Sequence, residues 1–346
     1  MVIRWKNNSV YIQKSIKSLV WLHLYYLFMY GFFRDIVGLP KTISYALDFF
    51  NIAIFFYALL HKKIQNLRGK SYKFFFLWIL FFLLSTIIGL ILVGGSPILY
   101  IWGFRNSFRY YGFFLSCAVL LDLSDIYEII PVFKRIYILN LIICTVELIM
   151  GYSGDYLGGI FGTQQGSNGY LNLFMVIVTA IYVTEYLEKR NGLVKTAFII
   201  LSCFYLMAIS ELKVYLFELP IIVLIGMINV KFNFRKIILI MLGISGVSVG
   251  ILMLGYFFEE SGISFFTSDA IYKYMGDRGY TNSGDLNRFN AVPQLFKRFL
   301  VGDTSRKLFG IGLGNASYSS AFWFFNSSFY KIYNALHYQW FTDAII

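Results

Sequence analysis

Apolar runs of about 18–22 residues recur along the chain, each long enough to cross a hydrocarbon core of about 30 Å. Runs of that length, repeated, leave little choice of fold. Composition agrees: 58% of the 346 residues are hydrophobic and 14% are charged. A soluble domain averages about 45–50% apolar and about 25% charged residues. The expected fold class is therefore all-α: a polytopic transmembrane helical bundle of roughly ten spans. It is read as one integral membrane domain over residues 1–346, with a large external loop at 259–334.

The expected spans are 18–33, 43–60, 74–93, 97–121, 136–151, 169–187, 193–209, 214–230 and 237–258. A further apolar run begins near His337 and is cut off at Ile346. Only Ser210-Glu211-Leu212-Lys213 separates the seventh and eighth runs. One broken helix is the alternative there. A helix much over 25 residues overshoots a bilayer, so a tight hairpin is expected.

Lysine and arginine fix the orientation. One set of loops holds Arg4, Lys6, Lys14 and Lys17, then Lys62, Lys63, Arg68, Lys70 and Lys73. The same side holds Lys134 and Arg135, then Lys189, Arg190 and Lys195, then Lys231, Arg235 and Lys236. The short loops opposite hold only Arg34, Lys41 and Lys213. The first side is read as cytoplasmic, which puts the N-terminus inside and the glycine-rich stretch 151–169 and the segment 259–334 outside. Most of the net charge of +12 is explained by this anchoring, without nucleic acid. The basic N-terminus lacks a small-residue cleavage site, so the first span is expected to be retained.

Few residues stand out as carriers of chemistry. Arg105 and Arg109 are four apart in the fourth run and share one helical face. Each arginine at a span centre costs about 2.5–3.5 kcal/mol, so two call for a purpose. Snorkelling to an interface is one; an outward cavity that binds an anion is the other. Arginine's planar fork suits phosphate, and Trp102, Tyr110 and Tyr111 flank the pair as possible walls for sugar or lipid. The stretch Gly158–Gly169 precedes a helix start, where backbone amides can approach an anion, or it is a plain turn. It contains Gly166 and Asn168 and is not a Walker loop, lacking Gly-Lys-Ser/Thr. Glu211 and Lys213 read as a surface ion pair, with Glu218 deeper. Leu286, Phe289, Val292, Phe296 and Phe299 recur at helical spacing around Pro293, as in a helix on the membrane surface. Phe309–Asn315 alternates three glycines and reads as a turn. His23 and His61 look incidental, and His337 is either structural or a base. The three cysteines form no CxxC pair, and no carboxylate or histidine cluster suggests a metal; no cofactor is expected.

Taken in order, these pieces resemble the bacterial O-antigen polymerase/ligase superfamily, of the Wzy polymerase type. The resemblance runs over most of the chain. An arginine-bearing helix with Arg105 comes first, then GGIFGTQQGSNGY entering a span, then SELK at a helix end. GDLNRF leads to LFGIGLGNAS in the external loop, and HYQWFTDAI closes the series. Lys213 stands where the family usually has arginine, and Tyr338 where many members have asparagine after the histidine. Members usually carry one or two further spans, so the resemblance implies that the sequence stops inside its last motif.

The resemblance implies a metal-independent glycosyltransferase in the bacterial cytoplasmic membrane. It implies undecaprenyl-diphosphate-linked glycan as the donor, membrane lipid as the surroundings, and a chain-length regulator and flippase of the same pathway as partners. Arg105, Arg109, Lys213 and Arg288 would hold the diphosphate. His337 would act as base, with Glu211 as the rival, and Arg288 would assist catalysis. Trp102, Tyr110, Gly166 and Asn168 would contact glycan or lipid. A ligase moving glycan to another acceptor, and a flippase or transporter of lipid-linked oligosaccharide, remain alternatives.

Overall fold

A computed structural model describes residues 2–60, 70–93, 95–228 and 230–258, and beyond them 293, 296, 304–317, 319, 322–328, 330 and 331. Arg288, His337 and the final apolar run lie outside the described residues, as does most of the expected external loop.

Regular structure among the described residues is helical throughout. The helices are α1 (Val2–Asp35), α2 (Ser44–Leu60), α3 (Lys70–Val93), α4 (Pro97–Leu120) and α5 (Leu123–Ile149). They continue with α6 (Ser167–Leu187), α7 (Leu193–Ile209), α8 (Tyr215–Ile228), α9 (Phe234–Phe257) and the short α10 (Thr304–Phe309). Each apolar run expected up to residue 258 falls on one of α1–α9.

Two helices begin well before their apolar runs. α1 starts at Val2 rather than near residue 18, because lysine, arginine and glutamine are good helix formers even where they are poor lipid solutes. α5 starts at Leu123 rather than Ile136. Asp122 and Asp125 form a reciprocal capping box there, and Pro131 is accommodated inside the helix.

Among the described residues, four helical stretches are long and apolar enough to cross a membrane: Lys73–Leu92 in α3, and Leu123–Ile149, Ser167–Leu187 and Phe234–Phe257. α2, α7 and α8 are apolar but shorter. α4 is not among them; it carries Arg105, Asn106 and Arg109 mid-helix. Large apolar side chains face outward, Phe81 and Ile91 on α3 and Leu224 and Ile228 on α8 among them. Such faces suit lipid better than water.

By internal contact the chain divides into two compact units: Met1–His23, Ser44–Leu121 and Ser268–Ile346 form the first, and Leu24–Ile43 and Asp122–Thr267 the second.

In the first unit α2 and α4 run parallel, since Tyr45 meets Trp102, Asp48 meets Arg105 and Asn51 meets Arg109. α3 runs antiparallel to α4, with Phe82 against Phe108 and Thr86 bonded to Tyr100 at 3.0 Å. Past α10 the chain docks on these helices through glycine. A Cβ at Gly89 would collide with the Phe309 carbonyl, and one at Gly103 with the Gly314 backbone. Gly314, at φ +81°, also sits on the Leu99 carbonyl, so a side chain there fails on both conformation and space.

In the second unit α6 is the central element, with Leu171, Phe174, Met175 and Val178 buried. Asn168 bonds the Ser210 carbonyl while Thr179 lies by Cys203, so α7 runs antiparallel to α6. Asn172 bonds Glu218 while Gly226 lies by Val183 and Leu187, so α8 runs parallel to α6. α7 and α8 are thus a tight hairpin, not one broken helix. Glu211 makes the turn at φ 55°. A buried polar chain ties four helices together. The Tyr137 hydroxyl meets Ser202 at 2.7 Å and the Cys203 sulfur at 3.1 Å, and Thr179 bonds the Tyr215 hydroxyl at 2.7 Å.

Candidate functional site

Four of the residues singled out in the sequence gather in the first unit. Arg105 donates from Nε to Asp48 Oδ2 at 2.9 Å, and a second guanidinium nitrogen bonds the same oxygen. Its third nitrogen donates to Asn106 Oδ1 at 2.7 Å. Arg109 lies one turn on, 3.8 Å from the other carboxylate oxygen, and donates to the Tyr110 hydroxyl. One carboxylate therefore serves two guanidiniums. A single positive charge is left over on the α4 face.

Aromatic rings wall this charge. The Arg105 guanidinium lies 5.0 Å from the Tyr45 ring centroid and 4.5 Å from that of Trp102, and Arg109 lies 4.6 Å from that of Tyr110. Cation–π attraction of this kind grows when the cation is desolvated. Trp102 stacks on Phe325 at 4.2 Å, which brings the far segment of the chain to the site. Two buried donors here, Arg109 Nε and Trp102 Nε1, have no hydrogen-bond partner among the described residues. Trp102 is buried by Arg105 and Phe325. It is part of the wall of the arginine pair.

Asp48, Tyr45, Asn51 and Phe325 were not anticipated from the sequence. Asp48 had a signal: it is the one charged residue in α2, and a charge in an apolar helix needs a partner. Asn51 Nδ2 donates to the Arg109 carbonyl at 2.7 Å, pinning the two helices at that level. His23 is also buried, against Phe113 at 4.6 Å, with Nδ1 unpartnered among the described residues.

The glycine-rich stretch belongs to the second unit, and its amides are already engaged. Gly159 N–H donates to Glu147 Oε2 at 2.8 Å, Ile160 N–H to Asn140 Oδ1 at 2.7 Å, and Thr163 N–H to Asp35 Oδ2 at 2.9 Å. Gly162 and Gly166 donate to the carbonyls of Gly159 and Asp155. Acceptors of the chain itself, two carboxylates among them, thus occupy these five amides of the stretch that the sequence suggested for an anionic ligand. Close approach explains the glycine at 159: at φ +65°, its Cβ would strike the Asn140 side chain. Gly166 caps α6 in the left-handed region.

Asn168 and the SELK turn meet in the same unit. Asn168 Nδ2 donates to Asp155 Oδ1 at 2.9 Å and to the Ser210 carbonyl at 3.0 Å. Asn168 therefore braces the α7–α8 turn against the glycine-rich stretch. Lys213 Nζ lies 3.0 Å from Glu211 Oε1, the ion pair that the sequence offered as one reading.

The chain matches no family model, no curated protein and no solved structure.

Proposed function

We propose that the protein is a polysaccharide polymerase, a multi-pass glycosyltransferase of the bacterial cytoplasmic membrane with a cytoplasmic N-terminus. On this reading it joins undecaprenyl-diphosphate-linked oligosaccharide repeat units on the outer face. The single observation that carries the reading is the Arg105–Arg109 pair sharing Asp48. Two guanidiniums on one carboxylate keep an excess positive charge at helix depth, where an unneeded arginine is costly. A diphosphate supplies the acceptors that this charge and the unpartnered Arg109 Nε would take.

The donor carries its own leaving group, so the reaction needs positioning and charge stabilisation rather than nucleotide binding. Arg105 and Arg109 would bind the diphosphate and stabilise the charge that grows on it as the glycosidic bond breaks. Arg288 and His337 keep the roles that the family resemblance gives them, as further diphosphate ligand and as base toward the acceptor hydroxyl.

The test is the lipid-linked glycan profile of a strain lacking the gene, with the side of the membrane determined. Single repeat units trapped on the outer face are expected. Long polymers stranded on the carrier would instead mean a ligase. Single units held on the cytoplasmic face would mean a flippase, and would overturn the mechanism.

A further inference from the structure

Trp323 is 79% exposed and Phe324 is 47% exposed. They begin the 3₁₀ turn Trp323–Phe325. The residues on either side are anchored. Phe322 lies 5.8 Å from Tyr45, and Phe325 stacks on Trp102. Those anchors fix the depth of the turn. Tyr45 is in the first turn of α2, and Trp102 is five residues into α4, about 8 Å from its start at about 1.5 Å per residue.

The glycine contacts give the same depth independently. Gly89, against Phe309 and Gly312, lies four residues before the end of α3, and Gly103, against Gly314, lies six residues into α4. Those are about 6 and about 9 Å inside the helix ends. Non-helical backbone is thus held alongside helices rather than above them. Backbone at membrane depth is tolerated where protein buries it, and the glycine docking does that here. The side chains of α2 and α4 exposed at this level are apolar: Phe49, Ile98 and Ile101. Exposed aromatics at a helix end, at the level of an apolar outer face, have the chemistry of the layer between headgroups and acyl chains.

We propose that Trp323 and Phe324 insert into the interfacial layer of the lipid bilayer and anchor the 304–331 segment against the α2–α4 end of the first unit. This part of the sequence, expected as external loop, then touches lipid. The proposal does not depend on the polymerase reading.

The test uses the full chain in nanodiscs of phosphatidylcholine, with acyl chains brominated near the glycerol or left plain. The protein has six tryptophans, so the Trp323 contribution is the difference between wild type and Trp323→Phe. A side chain this exposed makes few contacts within the protein, so the variant is expected to fold. Brominated lipid should remove most of the Trp323 emission, and aqueous iodide should remove little. Quenching by iodide but not by brominated lipid would overturn the proposal. A spin label at Phe324→Cys gives an independent reading. Collisions with oxygen should exceed those with a water-soluble nickel chelate; the reverse order would also overturn it.

Discussion

Gly103 of α4 and Gly314 of the returning segment meet backbone to backbone, with no room for a side chain at either position. The contact lies two residues from Arg105. Whatever loosens it loosens the aromatic wall of the arginine pair, because Phe325 follows in the same segment. Gly314→Ala should destabilise the folded protein by about 1–3 kcal/mol, from overpacking together with the left-handed backbone. Thermal unfolding in detergent would measure this, with Gly310→Ala as the comparison. Gly310 also has positive φ but open space around it, so its loss should be smaller.

Asp48 should behave as the hub of the arginine pair. Asp48→Asn leaves two half-buried guanidiniums with weakened compensation, and Arg105→Gln leaves the carboxylate with only the more distant arginine. The two changes together should cost less than their sum. A double-mutant cycle on unfolding is expected to give a coupling of about 1–3 kcal/mol. A coupling near zero would mean that the pair contributes nothing in the folded protein.

The same arginines should separate charge from geometry in function. Arg105→Ala is expected to abolish extension of the glycan, and Arg105→Lys to leave a small fraction of it, because lysine keeps the charge without the fork. Alanine at Arg288 or His337 should also stop extension while membrane insertion persists. Polymer length on gels, with protein amount in membranes as the control, reads both. Wild-type length in either alanine variant removes that residue from the mechanism.

Glu147 should act as an acceptor more than as a charge. It takes the Gly159 amide inside the second unit. Glu147→Ala strands that buried N–H and should cost about 1–3 kcal/mol, whereas Glu147→Gln keeps a carbonyl oxygen in place and should cost much less. Equal losses in the two variants would show that the negative charge matters instead.

The Tyr137–Ser202–Cys203 and Thr179–Tyr215 contacts test how much buried polar contacts between helices contribute. Tyr137→Phe and Thr179→Val should each cost about 0.6 kcal/mol, the common size for such bonds within membranes. A much larger loss would mean that the contacts act as one network.

The helices were legible from hydropathy, because an apolar run long enough to span is hard to fold otherwise. Their ends were not. Hydropathy marks where a helix suits lipid, and α1 and α5 continue well past that point through residues that suit helices but not lipid. The Asp122–Asp125 capping signal at the start of α5 is present in the sequence, but hydropathy does not register it. The Arg105–Arg109 spacing was legible because four residues make one helical turn. Their partner Asp48 was not, since nothing in a single sequence registers α2 against α4. The glycine-rich stretch shows a related limit. Glycine announces a special backbone, but whether its amides face a ligand or acceptors of the chain itself depends on residues outside the stretch, Asp35 the most distant of them.

That distance has a consequence for biogenesis. Thr163 takes its acceptor from Asp35, 128 residues earlier. At about 5–20 residues per second, the ribosome needs about 6–25 s between the two. Through that interval Asp35 has at its side a companion that emerges with it, Arg34, bound at 2.6 and 2.7 Å in the finished protein. The neighbouring arginine can hold the carboxylate in place until the glycine-rich stretch arrives. Loss of Arg34 would then show first in the yield of correctly inserted chains during synthesis, and only later in the stability of those that succeed.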